Sequence, residues 1–140
     1  MTVVIDTNVV LGMFNPGHRT HPIFSAWFDG RLQWATSTEI LLEYEEIVVE
    51  RSGAGRVRKM FALMELINQQ HGNVLHLSPS FHFHLIGADP DDDKFADCAI
   101  AAEADHIITE DHHFAALLRS GYKPQPIASE EFIRRHLGGE

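Results

Sequence analysis

Residues 89–114, DPDDDKFADCAIAAEADHIITEDHHF, place two demands on the fold that few architectures meet together. Asp89, Asp91, Asp92 and Asp93 crowd the start of an Ala-rich run whose apolar side carries Phe95, Ala96, Ala99, Ile100 and Ala102. A Pro and acids just before an apolar periodic segment are helix-start signals, and carboxylates there suit the positive end of the helix dipole. The helix is expected to stop near Ala104. His106 to Thr109 then reads as a short buried strand that ends at Glu110 and Asp111. Acids therefore stand both at a helix start and where the next strand leaves its sheet. In open parallel sheets ligands bind at the carboxyl ends of strands, beside the helix starts that follow.

The rest of the chain repeats this strand–helix alternation. Thr2–Ile5 is a β-branched run of the kind buried on both faces, and it ends at Asp6. Thr7 and Asn8 can hydrogen-bond locally and begin a helix through Val9, Val10, Leu11 and Met13. With no other acid considered, Asp6 could be a helix cap and nothing more. Asn15-Pro16-Gly17 breaks the chain, and a helix over Ile23–Asp29 follows. Within that break, His18 and His21 read as a solvated pair rather than a metal site. Leu32–Ala35 is the second expected strand. Thr36, Ser37 and Thr38 offer N-caps to a helix that buries Ile40, Leu41, Tyr44, Ile47 and Val48. Of the acids on that helix, Glu43 lies nearest its apolar side. Ser52–Gly55 reads as a mobile link, and an amphipathic helix through Phe61, Leu63, Met64, Leu66 and Ile67 ends at Gly72. Val74–Leu77 is a third strand. Phe81, His82, Phe83 and His84 alternate either as a cover for the sheet edge, the preferred reading, or as rings that stack on bases. His112–Leu118 is a further helix, Pro124–Ile127 an edge strand, and Glu131–Leu137 the last helix. Strand–helix alternation implies an α/β fold with a parallel sheet and right-handed crossovers.

At 140 residues the chain has the size of one domain, 1–140, with 44% hydrophobic content. It contains no apolar run near the roughly 20 residues of a membrane span. MTVVIDTN lacks the basic and apolar regions of a secretory signal, so the cytoplasm is the expected location and no membrane partner is expected. Cys98 is the single cysteine and reads as a small buried apolar residue. The formal net charge is −9, where a nucleic-acid binder usually carries a basic patch. Carboxylates that hold divalent cations make the bare sequence too negative, however, so charge does not decide the substrate. Arg56, Arg58 and Lys59 form the basic cluster. They are read as a solvated helix start, with contact to an RNA backbone the alternative.

Asp6, Glu43, Asp92 or Asp93, and Asp111 all fall at strand ends or in the early part of the following helices. Carboxylates converging without a Lys or Arg partner repel one another and their pKa values rise. Mg²⁺ or Mn²⁺ removes that conflict, because such ions take oxygen ligands and keep waters for substrate phosphates to replace. A site of that kind hydrolyses phosphodiesters through a metal-activated water. No Gly-rich phosphate loop, Ser-His-Asp set or Cys-His pair competes.

VVIDTNVV, STEILLEYEEIV, DPDDDKFADCAIAAEADHIITED and the closing ITEDHHF together resemble a PIN domain, of the single-domain VapC-like type found as toxins of toxin–antitoxin pairs. The resemblance spans residues 2–114. It implies a three-layer α/β/α sandwich with a mainly parallel sheet of four to five strands, and an Mg²⁺/Mn²⁺-dependent endoribonuclease site. The catalytic acids would be Asp6, Glu43, Asp93 and Asp111, with Asp92 and Asp97 as further metal ligands. The third acid stays open: Asp93 stands eighteen residues before Asp111, Asp92 fits the DPDD pattern, and Asp97 lies one helical turn after Asp93. Thr7, Asn8 and Thr109 would support the acids. Glu110 stands where the family has a small residue and adds charge beside the site. An RNA substrate, an antitoxin protein and a homodimer are the implied partners.

Other readings are a PIN nuclease of RNA processing, an inactive PIN-like RNA-binding or scaffold module, and a small-molecule phosphohydrolase with Asp6 as nucleophile. The last prefers a second Asp at position 8, where Asn8 stands.

Overall fold

A computed structural model describes residues 1–78 and 93–138. Asp89, Asp91, Asp92 and the Phe81–His84 alternation lie outside the described residues.

The five strands are β1 (Thr2–Ile5), β2 (Gln33–Ser37), β3 (Val74–Leu77), β4 (His106–Ile108) and β5 (Gln125–Ile127). They form one sheet in the order β3-β2-β1-β4-β5, and every neighbouring pair is parallel. Val3 pairs with Trp34 on one side and His106 on the other, which makes β1 central. The buried Val3, Val4 and Ile5 answer the continuous apolar run expected of a strand covered on both faces.

The helices are α1 (Thr7–Met13), α2 (His21–Phe28), α3 (Thr38–Ser52), α4 (Ala54–His71), α5 (Asp93–Ala101) and α6 (Ser129–Phe132), which continues as a π turn over Ile133–Leu137. The connections β1 to β2 and β2 to β3 step toward one edge, and β3 to β4 returns past β1. Right-handed crossovers then set α1–α4 on one face and α5 on the other, giving three layers. Side chains two apart on β2 agree. Trp34 packs against Phe14, Trp27 and Tyr44, and Thr36 shares a shallow pocket with Leu41, Phe61 and Met64, all on the α1–α4 side.

A column of buried rings locks the layers together. Trp27 meets Trp34 at 5.2 Å and Trp34 meets Tyr44 at 5.9 Å. Tyr44 meets Phe95 at 6.5 Å, and Phe95 meets Phe114 at 6.4 Å. Each such pair contributes about 0.5–1.5 kcal/mol beyond area burial. Tyr44 and Phe95 adjoin Glu43 and Lys94 in sequence, so the column also fixes how α3 and α5 present those two side chains.

Several boundaries differ from the sequence reading. β2 begins and ends later than Leu32–Ala35, because Thr36 and Ser37 find ladder partners in His76 and Leu77. Ser37 still caps α3, accepting from the Ile40 amide at 3.3 Å. No link occupies Ser52–Gly55: α3 runs through Ser52 and α4 starts at Ala54. Gly53 alone makes the break at φ 90°, a conformation other residues rarely adopt. α5 ends at Ala101, since Glu103 takes a left-handed φ of 51°. The segment His112–Arg119 is a 3-10 helix rather than an α-helix. His18 is exposed, as expected of a solvated residue, whereas His21 is half-buried. His21 bonds the Met13 carbonyl at 2.8 Å and stacks on Phe24, while His18 bonds Thr20 at 2.8 Å. No helix among the described residues is long and apolar enough to cross a membrane.

Candidate active site

The strand order reverses direction between β1 and β4, and such a switch point opens a crevice at the carboxyl ends of the strands. Asp6 stands at that end of β1, and Thr109 and Asp111 stand just past β4. The Asp6 amide makes a ladder bond to the Ile108 carbonyl at 3.0 Å. Its own carbonyl already accepts from Val9 and Val10, so one residue closes the strand and caps α1.

Both Asp6 carboxylate oxygens are engaged. Oδ1 accepts from the Thr7 amide at 2.8 Å and Oδ2 from the Thr109 hydroxyl at 2.7 Å. The Thr7 hydroxyl donates to Glu43 Oε2. Thr109 Oγ1 in turn accepts the Asp111 amide at 2.9 Å. Two threonines thus string Glu43, Asp6 and Asp111 together. Asp111 also caps the 3-10 helix, accepting from the His113 amide at 2.8 Å, with His113 Nδ1 3.3 Å away. Burial, with smaller contributions from Glu43 and Asp111, pushes the Asp6 carboxyl above its ordinary range against the bonds from Thr109 and Thr7.

The reading that no Lys or Arg joins these acids is corrected by Lys94. Its Nζ lies 2.8 Å from Glu43 Oε1, with the side chains only 17% and 23% exposed. The same ammonium sits 5.7 Å from the Phe95 ring centroid. Lys94 escaped the sequence reading because its partner lies 51 positions earlier, on α3. The available signal was its place directly after the acids at a helix start.

Among the described residues, no group of three or more His, Cys, Asp or Glu side chains is arranged as it stands to hold a metal ion. Both oxygens of Asp6 and both of Glu43 take nearby protein donors instead. The donor set, hard carboxylate oxygens on three neighbouring elements, nevertheless fits Mg²⁺ or Mn²⁺ by its chemistry.

The other sequence candidates fall as follows. Asp93 is half-buried as the first residue of α5. Asp97 is buried one turn later, and its charge acts on Cys98. Burial first and Asp97 second push that thiol up to about 12, which marks it as inert. Asp92 is outside the described residues. Asn8 is exposed on α1. Glu110 does not add its charge to the site. It pairs with Arg19 at 2.9 Å and accepts from the Ser129 hydroxyl at 2.5 Å and the Ser129 amide at 3.1 Å. Arg56 and Lys59 line a separate groove of about 580 Å³ with Val10, Leu11, Phe14, Val48, Met60 and Leu63, and none of the candidate acids lines it. Arg58 is exposed on the same helix.

A family model described as the PIN domain matches residues 2–113, a span that holds every one of these acids. A comparison with curated proteins gives no match. Among solved structures, the chain is similar to the crystal structure of VapBC2 from Rickettsia felis bound to a DNA fragment from their promoter. The TM-score is 0.58 at 14% identity, over 90% of this chain and 98% of that one, a likeness that concerns the fold. With four-fifths of the chain matched, from β1 through the acids after β4, this protein belongs to the PIN-domain family.

Proposed function

We propose that this chain is an endoribonuclease dependent on Mg²⁺ or Mn²⁺, and the toxin of a toxin–antitoxin pair. PIN domains are nucleases, so hydrolysis of nucleic acid is the family's chemistry. The observation that carries the finer reading is the Glu43–Thr7–Asp6–Thr109–Asp111 string at the switch point. It concentrates acids where a parallel sheet binds ligands, with the Asp6 carboxyl raised by its burial and, to a smaller extent, by Glu43 and Asp111.

Asp6, Glu43 and Asp111 would hold the ion, with Asp93 or Asp92 as a further ligand. When bound, it would supply an activated water and neutralise the leaving oxygen of the phosphodiester. Thr7 and Thr109 orient the carboxylates, as outer-shell hydrogen bonds do in metal sites. Arg56, Arg58 and Lys59 offer exposed positive charge to an RNA backbone that the acidic remainder repels. The likeness to VapBC2 supports pairing with an antitoxin, and the family resemblance supports a homodimer and a cytoplasmic location.

The test is cleavage of a labelled single-stranded RNA by the purified protein with Mg²⁺, with Mn²⁺, and with EDTA. Cleavage that needs the ion and spares the same sequence as DNA is expected. Undiminished cutting in EDTA refutes the metal, and equal cutting of DNA refutes the choice of RNA. Growth arrest on expression, relieved by the protein encoded in the neighbouring reading frame, tests the toxin reading.

A further inference from the structure

Lys94 has no place in the chemistry just described. It is mostly buried, and a lysine is seldom withdrawn from water unless it is paired. Among the described residues it pairs with one of the candidate metal-binding acids, Glu43, at 2.8 Å. Glu43 therefore has both oxygens engaged without any metal, Oε1 by the Lys94 ammonium and Oε2 by the Thr7 hydroxyl. Asp6 differs. Its donors are an amide and a hydroxyl, neither of them charged. Among the described residues, the ammonium beside Glu43 thus has no counterpart at Asp6. The ring column makes the arrangement stiff, since Tyr44 and Phe95, the residues after Glu43 and Lys94, are fully buried and packed on each other.

Resting on the metal-dependent reading above, we propose that Lys94 is a resident counterion that stands in for one divalent cation. It neutralises Glu43 before any ion binds, and it restricts the site to a single Mg²⁺ or Mn²⁺ on the side of Asp6 and Asp111. Lys94 is on this account a competing counterion, neither a catalytic residue nor a support for a metal ligand. A fixed cation also repels an incoming one, so the lysine sets a ceiling on metal affinity as well as on metal number.

The experiment is titration of metal-free protein with Mn²⁺, followed by calorimetry and by the electron paramagnetic resonance signal of the free ion, beside melting without metal. The wild type should take up one ion. Lys94→Met should bind Mn²⁺ at least about tenfold more tightly, since a unit positive charge has left the neighbourhood of a divalent ion. It should accept a second ion and melt lower when metal-free. Lys94→Arg, which keeps the charge, should restore single occupancy. Weaker Mn²⁺ binding by Lys94→Met overturns the proposal, because that is what a prop for a metal ligand would give. So does a Lys94→Arg protein that behaves like Lys94→Met. Should Lys94→Met fail to fold, Glu43→Gln/Lys94→Met must recover folding, since the Glu43 charge is then no longer left without its ammonium; a double variant that stays unfolded overturns the counterion role. A wild type that takes up no Mn²⁺ sinks the metal reading and this one together. A wild type that binds one ion, with Lys94→Met identical to it, sinks this one alone.

Discussion

Thr109 donates its hydroxyl to Asp6 at 2.7 Å across 103 positions of sequence, and the same oxygen accepts the Asp111 amide. One buried hydroxyl thereby ties the end of β1 to the turn after β4, and two candidate catalytic acids to each other. Removing it strands a buried carboxylate oxygen and an amide at once.

Thr109→Val, nearly isosteric, is expected to cost about 1–3 kcal/mol of stability, the usual cost of leaving a buried polar group unsatisfied. RNA cleavage should fall roughly 10–100-fold, as when outer-shell partners of metal ligands are lost. Thr109→Ser should restore most of both. Urea melts and single-turnover cleavage measure the two effects. Full activity in the valine variant would show that Asp6 needs no orienting partner.

Asp6→Asn should leave a folded protein with cleavage reduced by more than the roughly 10–100-fold typical of an outer-shell partner. Its thermal behaviour follows from the raised carboxyl. An acid whose folded pKa exceeds its unfolded value lowers stability at pH values above both, and that cost disappears as pH falls through the raised value toward 3.8. Without metal, the variant should therefore melt no lower than the wild type at neutral pH, and any advantage should shrink on acidification. A large loss of melting temperature would mean that the cap over Thr7 outweighs the charge.

Tyr44→Phe removes the hydroxyl that donates to the Ile5 carbonyl and accepts from Trp34 Nε1 at 3.4 Å. The ring stays packed, so the change isolates the hydrogen bonds. A loss of about 1–3 kcal/mol is expected in denaturant unfolding. Cleavage should drop alongside, since Tyr44 sets the rotation of α3 that presents Glu43. Unchanged stability would show that water replaces the lost donor.

Glu110→Gln separates architecture from chemistry. Burial raises the Glu110 carboxyl, but the bonds from Ser129 and Arg19 together outweigh it and hold the group below its ordinary value. An acid lowered in this way contributes stability above its unfolded value of 4.5, and the contribution is lost as pH falls through the lowered one. The variant should melt below the wild type at pH 7, with the gap closing at acidic pH. RNA cleavage should stay at the wild-type level, because the side chain is turned to Ser129 and Arg19. A strong activity defect would place Glu110 in the site after all.

The sequence alone determined the class of fold and the positions of the acids along it. Five short runs such as Val3-Val4-Ile5 and Ile107-Ile108, alternating with amphipathic stretches, leave little choice besides a layered parallel sheet. Because the first and fourth runs end at polar residues, Asp6 and the pair Glu110–Asp111 could be placed at strand ends by counting. Tertiary structure decided what sits across from each of them. Asp6 meets Thr109 only because β1 and β4 pair side by side although 100 residues separate them. Glu110 left the site because Ser129 and Arg19, from distant parts of the chain, offered it donors. Lys94 entered because α3 and α5 meet over the strand ends. Hydrophobic periodicity reports which face of an element is buried, a local property of the chain. Which charge faces which across that burial depends on how the layers close, and no local pattern records it.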